Sequence, residues 1–550
     1  MVAFVSNGGW IDGNTGDGVR LYMAEDFTDL YVYNLRGNQR TAGEQSRKEG
    51  GKVFGSGSRN TVAITIGIKD PNKSGFQLHY RDIGDYLTAE EKLKIVDTST
   101  VDTVDWQPIT PNSHGDWLNQ RSDDFTTWPV LGEKKGTTDT FFKLFSRGLE
   151  TARDAWAYSY SENKLQDQAR GLMENYCAAL DAIQPDQTAE SVLKENPRLV
   201  DPRLGKWSSS LISQLNRRAP LSRGGVTAHS LYRPFCKQRA FFDAQFNHRQ
   251  YQLPSMFPTS AHQNIGYGVC AASNRTPFSL LASDLLPNLS LFMDPAQFFS
   301  RFTWAPVDAD GGLFGEGASI SKSEPSIYGQ VGEVVAGYVR KDNITDEIKA
   351  LYRDALGADI TGDDIFHFVY GKLHDPEYRA KYAADLKKML PHIETPSSRA
   401  EFDKFAAAGQ KLMDLHVHYE DVEPWPLDVQ VKGDESSRET WRVIKMRWAK
   451  RNDPETGKKI NDVTKLIYNK QVTISGIPAE ADEYMLGSRS AIAWLIDRYQ
   501  VKKDKASGIV NDPNDWADEV GNPRYIVDLI GRVTRVAMET VRIVDSMNEE

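Results

Sequence analysis

Cysteine is scarce in this sequence. Three residues, Cys177, Cys236 and Cys270, are scattered through a chain of 550. No Cys-x-x-Cys occurs, so neither a zinc knuckle nor a redox pair is indicated, and a reducing, cytoplasmic compartment fits. Long apolar runs are missing as well. None approaches the roughly 18 residues that mark a membrane span. There is no Gly-x-Ser-x-Gly elbow, no Gly-Lys-Ser/Thr ending of a phosphate loop, and no G-x-G-x-x-G that follows a strand and opens a helix. The one tight cluster of metal-like composition is His416-x-His418 with Glu420. Positions i and i+2 of a helix do not share a face, so His416, beside Leu412 and Leu415, is expected to pack. No metal site is expected. The carboxylate pair Asp363-Asp364 opens a predicted helix, where the dipole favours acid, so capping is the expected role.

The rest of the composition is that of an ordinary globular chain, 40% apolar and 26% charged. Its length suggests roughly two to four domains. A net charge of −10 speaks against general coating of nucleic acid. It leaves room for a local basic cleft, because the local field matters more than the total.

Residues 2–6 read as a buried strand. Asn7-Gly8-Gly9 ends it, no basic leader precedes it, and it is no signal peptide. A core strand at this position suggests that the chain starts inside a domain. A helix over 16–27 and a strand over 30–35 follow. Strands over 60–69 and 76–81 read as a hairpin, and a helix over 88–97 has Thr88 and Glu91 at capping-box spacing. Strand–helix–strand order is α/β material. A helical tract over 162–195 leads to a β-leaning stretch over 205–335, with strand pieces at 232–235 and 240–243. A Gly/Ser-rich break over 308–326 is the best linker candidate. Helices are expected over 346–356, 363–373, 376–389 and 399–418. Strands follow over 441–448 and 470–476, then helices over 488–499 and 523–547.

The stretch 30–70 stands out. Two short β-branched or aromatic runs, 30–33 and 61–68, bracket a polar loop. The loop holds Arg36, Arg40, Arg47, Lys48, Lys52 and Arg59 against Glu44 and Glu49, with six glycines. Long loops in compact domains are functional or disordered. A polyanion suits this one; a solvated spacer has the same composition. Two other basic segments interleave aromatics: Tyr232-Arg233-Pro234-Phe235-Cys236-Lys237-Gln238-Arg239, and 442–451. Alternation in the second places Arg442, Ile444, Met446 and Trp448 on one face. It reads as an edge strand whose basic side chains meet phosphate, or equally one blunted against pairing.

Several longer strings resemble a known family. Val2-Ala3-Phe4-Val5-Ser6-Asn7-Gly8-Gly9-Trp10, Tyr33-Asn34-Leu35-Arg36-Gly37-Asn38 and Gly50-Gly51-Lys52-Val53-Phe54-Gly55-Ser56-Gly57-Ser58-Arg59 resemble gamma-class N6-adenine DNA methyltransferases. They are closer still to the methyltransferase region of type ISP single-polypeptide restriction–modification enzymes. Tyr232-Arg233-Pro234-Phe235, Tyr370-Gly371-Lys372-Leu373-His374, Leu415-His416-Val417-His418-Tyr419-Glu420 and Ser507-Gly508-Ile509-Val510-Asn511-Asp512-Pro513-Asn514-Asp515-Trp516 resemble the C-terminal specificity region of the same enzymes.

The resemblance implies a partial Rossmann-like α/β methyltransferase sheet over 1–130. An α+β target-recognition domain follows over 131–330 and 331–550, its second part carrying a helical subregion. It implies double-stranded DNA as partner, and nuclease, translocase and remaining methyltransferase regions in cis or trans. The glycine-rich motif for S-adenosylmethionine, the Asn-Pro-Pro-Tyr type motif and the ATP-binding motifs of the family are not found. No cofactor is therefore expected in this chain; S-adenosylmethionine, ATP and Mg belong to the complete enzyme. The fragment alone is expected to be inactive. Phe54 matches the family's aromatic residue that stacks on a flipped adenine, worth about 1–3 kcal/mol per base. DNA contacts are expected from Arg36, Asn38, Arg40, Lys52, Ser56, Ser58 and Arg59, and from Arg233, Lys237, Arg239, Arg447, Lys450 and Arg451. The alternatives are a methyltransferase subunit completed in trans and a decayed, non-enzymatic module that binds protein through 345–420.

Overall fold

A computed structural model of the chain describes residues 1–40, 43–54, 59–134, 139–222, 224–272, 276–307, 325–454 and 457–549. Most of the linker candidate, with Ser56 and Ser58, lies outside them. The chain divides into two compact units. The first joins Met1–Leu131, Ala271–Phe278 and Glu377–Glu394; the second joins Gly132–Cys270, Ser279–Pro376 and Thr395–Glu550. Among the described residues no helix is long and apolar enough to cross a membrane.

The first unit is built on a five-stranded sheet. Its strands are β1 (Val2–Asn7), β2 (Asp29–Asn34), β3 (Val62–Ile68), β4 (Gln77–Asp82) and β5 (Gln107–Ile109), in the spatial order β1-β3-β2-β4-β5. β3 runs antiparallel between β1 and β2, and β2 runs parallel to β4. The carboxyl ends of β1, β2 and β4 therefore share one edge of the sheet. Helix α1 (Asp17–Asp26) brings Met23 onto one face, packed with Leu30, Val32, Ala63, Leu78 and Trp117. Helix α2 (Gly43–Glu49) lies within the basic loop, and α3 (Ala89–Asp97) covers the opposite face through Ile95 and Val96, near Tyr33, Val62 and Ile83. α3 starts where expected, with Thr88 and Glu91 forming the capping box.

Two expectations fail here. The strands over 60–69 and 76–81 do not pair as a hairpin. β3 occupies one edge of β2, and β4 takes the other. β1 is not buried either: Val2 and Val5 are 53% and 55% exposed, because β1 has a neighbour on one side only.

The second unit is a mixed α/β assembly of several small sheets and helices. A hairpin of Val226–Arg233 and Cys236–Phe242 turns at Pro234-Phe235, so 232–235 is not a strand piece but the end of one strand and its turn. The helices Gly362–Lys372 and Arg399–Val417 cross at two glycines. A methyl group on Gly409 would sit 1.9 Å from the carbonyl oxygen of His367, and one on Gly371 would sit 2.1 Å from that of Phe405. The backbones therefore meet only because both residues lack Cβ. Thr361 and Asp364 cap the first of these helices, and Asp363 pairs with the buried Arg301. The C-terminal helix Tyr525–Ser546 buries Ile526, Leu529, Ile530, Val533 and Val536.

A last sheet orders Asp428–Val431, Val472–Ser475, Lys459–Ile467 and Arg447–Asn452, all antiparallel. The strand expected over 441–448 is displaced. Arg438–Trp441 is a helical turn, and the strand begins at Arg447. Ile444 is 67% exposed and Met446 2%, which a shared strand face forbids. Met446 and Val443 are instead drawn into the core, where Val443 N donates to Asn514 Oδ1 at 2.9 Å.

Candidate nucleic-acid interface

In open α/β sheets, ligands bind outside the carboxyl ends of the strands. In the first unit that edge carries a cavity of ≈ 440 Å³. Gly8 and Gly9 follow β1, Asn34, Arg36 and Asn38 end or follow β2, Thr61 precedes β3, and Tyr80 and Asp82 close β4. The side chains form a connected set. Asn34 Nδ2 donates to Tyr80 Oη at 3.1 Å, and Thr61 Oγ1 donates to Asn34 Oδ1 at 3.1 Å. Arg36 sits in the left-handed region, φ 55, where its N–H donates to Asn34 Oδ1 at 3.0 Å. Its guanidinium bonds Asp82 at 2.6 Å and also Asp85. Burial pulls the Arg36 pKa down, but pairing with Asp82 and Asp85 more than offsets this and leaves it raised. Burial, with Asp82 adding to it against the Asn34 hydrogen bond, pushes the Tyr80 hydroxyl up to about 12. Tyr80 is thus a permanent neutral phenol near neutral pH.

The basic loop is held against α3. Gly51 N donates to Leu87 O at 2.8 Å, and a methyl group on Gly50 would meet that same oxygen at 2.1 Å. The buried Lys92 Nζ donates to the carbonyls of Glu49 and Gly51 at 2.7 and 3.0 Å. Burial lowers the Lys92 pKa, against the opposing pull of Glu49. Gly37 packs on the returning segment, its Cβ position 3.6 Å from Lys52 Cα. Gln39 N donates to Arg59 O at 2.9 Å, which brings the loop's two ends together. Arg40 and Arg59 are exposed, Asn38 and Lys52 half-buried. Phe54 is 51% exposed, so it is not a core residue at the strand entrance.

The second unit treats its two basic segments differently. Arg233 is 6% exposed, lies 4.1 Å from the Tyr232 ring and donates to Asn288 Oδ1 at 2.7 Å. Lys237 pairs with Glu420 at 3.2 Å. Arg239 pairs with Glu519 at 2.9 Å and Glu162 at 3.4 Å, over the Trp516 ring. Arg447, Lys450 and Arg451 are exposed. His416 packs as expected, bonding Tyr370 at 2.7 Å and Thr540 at 2.9 Å.

The signature described as the Type ISP C-terminal specificity domain matches residues 140–529. The chain belongs to that family. Three solved structures align over nearly its whole length. A nuclease-deletion mutant of the Type ISP restriction–modification enzyme LlaGI, in complex with a DNA substrate mimic, is 33% identical over 99% of this chain, with a TM-score of 0.79. The ATP-dependent Type ISP enzyme LlaBIII bound to DNA is 30% identical over 100%, with a TM-score of 0.81. The DrdV–DNA complex is 29% identical over 100%, with a TM-score of 0.78. This chain spans 39%, 33% and 50% of those three chains. No curated protein matches.

Sequence reasoning about this Type ISP chain missed much of the strand-end site. Asn34 lay within one of the strings that carry the family resemblance but was given no role of its own, and neither were Thr61, Tyr80 and Asp82. Lys387 and Lys388 line the same cavity from a segment remote in sequence. Lys388 is anchored by Asp116 at 2.8 Å, and Asp116 also pairs with Arg121 at 2.8 Å and Arg20 at 3.6 Å. Burial raises the Asp116 carboxyl, but hydrogen bonds from Arg121 and Lys388 more than offset it and hold the pKa well below the carboxylate range. Strand alternation at β4 sets Tyr80 and Asp82, two residues apart, on one face.

Proposed function

We propose that the chain recognises a sequence in double-stranded DNA within a restriction–modification enzyme, and that its first unit receives an adenine swung out of the duplex for N6 methylation. Membership in the specificity family, and the DNA-bound state of the LlaGI, LlaBIII and DrdV structures, support the first part. The order β1-β3-β2-β4, with β3 antiparallel among parallel strands, supports a Rossmann-like methyltransferase sheet continuing beyond β1.

The observation that carries the second part is Phe54. A large aromatic side chain is left half-exposed in a basic loop that Gly37 and Lys92 hold beside the strand-end cavity. A flipped base loses its stacking and needs such a π-face. Arg40, Lys52 and Arg59 then position the backbone of the flipped strand. Arg36 fixes the shape of the site through Asp82 and Asp85, and Arg233, Lys237 and Arg239 serve the fold of the second unit.

S-adenosylmethionine supplies the methyl group when bound, and ATP with Mg serves translocation in the complete enzyme. The amide and hydroxyls of Asn34, Thr61 and Tyr80 offer donors and acceptors that fit the polar edge of a base, and in this reading the methyl donor is held by polypeptide outside this chain. That polypeptide, in cis or in trans, covers the open edge of β1 and the exposed Val19, Leu21 and Tyr22 of α1.

Two measurements test this. Affinity of the chain for duplex DNA should fall linearly on a log scale with salt; a flat response removes DNA as partner. In the complete enzyme, 2-aminopurine at the target adenine should brighten on binding, and Phe54→Ala should abolish that response. Retention of both the signal and methylation in the variant rules out stacking on Phe54.

A further inference from the structure

The four-stranded sheet at 428–475 contains a two-stranded extension. Arg447–Asn452 and Lys459–Ile467 pair beyond the point where Val472–Ser475 stops, since Val472–Ser475 bonds only Lys465, Leu466 and Ile467. The register jumps between Trp448, opposite Leu466, and Ala449, opposite Asp462. A break of this kind bends a ribbon and re-aims its side chains. Beyond it, Ala449, Lys450, Arg451 and Asn452 face Asp462, Asn461, Ile460 and Lys459. Four residues per strand give a projecting ribbon about 13 Å long.

Its root is rigid. Leu466, Tyr468 and Ile474 are fully buried, and Tyr468 Oη donates to Trp441 O at 2.6 Å.

Pairing partners in a ladder share a face, and faces alternate along each strand. One face of the ribbon therefore carries Ala449, Arg451, Ile460 and Asp462; three of these are half-buried. The other carries Lys450, Asn452, Lys459 and Asn461, and all four are exposed. Lys450 Nζ donates to Asn461 Oδ1 at 2.6 Å, which confirms the shared face. The exposed face is thus two lysine–asparagine cross-strand pairs, with no acidic residue among them.

We propose that this ribbon enters the major groove of duplex DNA and reads base edges through Lys450, Asn452, Lys459 and Asn461. The inference rests on the DNA-recognition reading above. The B-form major groove admits a two-stranded ribbon; lysine pairs there with guanine O6 and N7, and asparagine with adenine N6 and N7. A phosphate clamp needs cations alone. The asparagines paired opposite the lysines add donor–acceptor groups suited to base edges, on an exposed face beyond the register break. Arg451, on the opposite face and exposed, is placed for the flanking phosphate.

The test is selection by the full chain from duplex DNA with a randomised core, comparing the wild type with Lys450→Ala, Asn452→Ala, Lys459→Ala and Asn461→Ala. Thermal unfolding confirms that the variants fold. The expected result is a wild-type motif that the variants relax at one or two base positions. Discrimination there should fall about 5- to 100-fold with non-specific affinity retained. If the wild type selects a motif and all four variants keep it, the ribbon is not the reader, while DNA recognition stands. If the variants lose affinity evenly over all sequences with a shallower salt dependence, the ribbon is a phosphate clamp and the inference is overturned. If the wild type selects no motif, the DNA-recognition reading itself falls and takes the inference with it.

Discussion

The hairpin at 226–242 and the ribbon at 447–467 look alike in sequence: basic, aromatic, alternating. In the fold they are opposites. Every cation expected to meet DNA on the hairpin has a protein partner: Arg233 has Asn288, Lys237 has Glu420, Arg239 has Glu162 and Glu519. The ribbon leaves Lys450, Arg451 and Lys459 exposed, and Lys450 bonds Asn461 on the same ribbon. What separates the paired cations from the exposed ones is therefore a set of acceptors supplied from 55 to 280 residues away along the chain. Composition of the segment itself carries no trace of them.

The largest effects should come from the interior side of this comparison. His367 is 4% exposed, bonds Tyr328 Oη at 2.6 Å, and burial pushes its pKa down to about 4, against the pull of Asp363 and Asp364. Its unfolded pKa is about 6.5, so the unfolded chain binds the proton first. Stability should be level above about pH 6.5 and fall by about 3 kcal/mol as pH drops toward 4. In His367→Gln the urea midpoint should lose that part of its pH dependence.

Arg233→Ala should cost about 2–3 kcal/mol, because it empties a packed site and takes one of two donors from Asn288 Oδ1, leaving the Ser290 N–H. Arg239→Ala should cost about 1–2 kcal/mol, since Glu162 and Glu519 keep partial access to water. Denaturant midpoints check both. Lys450→Ala and Arg451→Ala should change stability by less than about 0.5 kcal/mol. A hairpin variant without a stability cost, or a ribbon variant with a large one, breaks the distinction.

Local signals in the sequence were sound where the physics is local. The helices Asp346–Leu356, Arg399–Val417 and α3 fall where apolar spacing and caps place them. The helix expected over 376–389 splits into Pro376–Lys381 and Ala383–Lys388, a break that spacing alone did not mark. Non-local choices were not legible. Nothing in 60–81 says that β4 pairs with β2 rather than β3, since both edges of β2 accept a strand. Nothing near Asp116 says that Lys388 completes its ion network. The alternation at 442–448 came from two core residues three apart, Val443 and Met446, set among exposed neighbours. At the strand-end site, the basic loop was legible in composition and Asn34 lay within a string that carries the family resemblance, whereas the way Asn34, Tyr80 and Lys92 come together depends on the order of the strands.

The most direct test of the distinction is the salt dependence of duplex DNA binding for Arg451→Ala against Arg239→Ala in the same chain. The account predicts that Arg451→Ala lowers the slope of log affinity against log salt by about 1, the signature of one lost phosphate contact, and that Arg239→Ala leaves it unchanged. A slope lowered by Arg239→Ala and untouched by Arg451→Ala would contradict it.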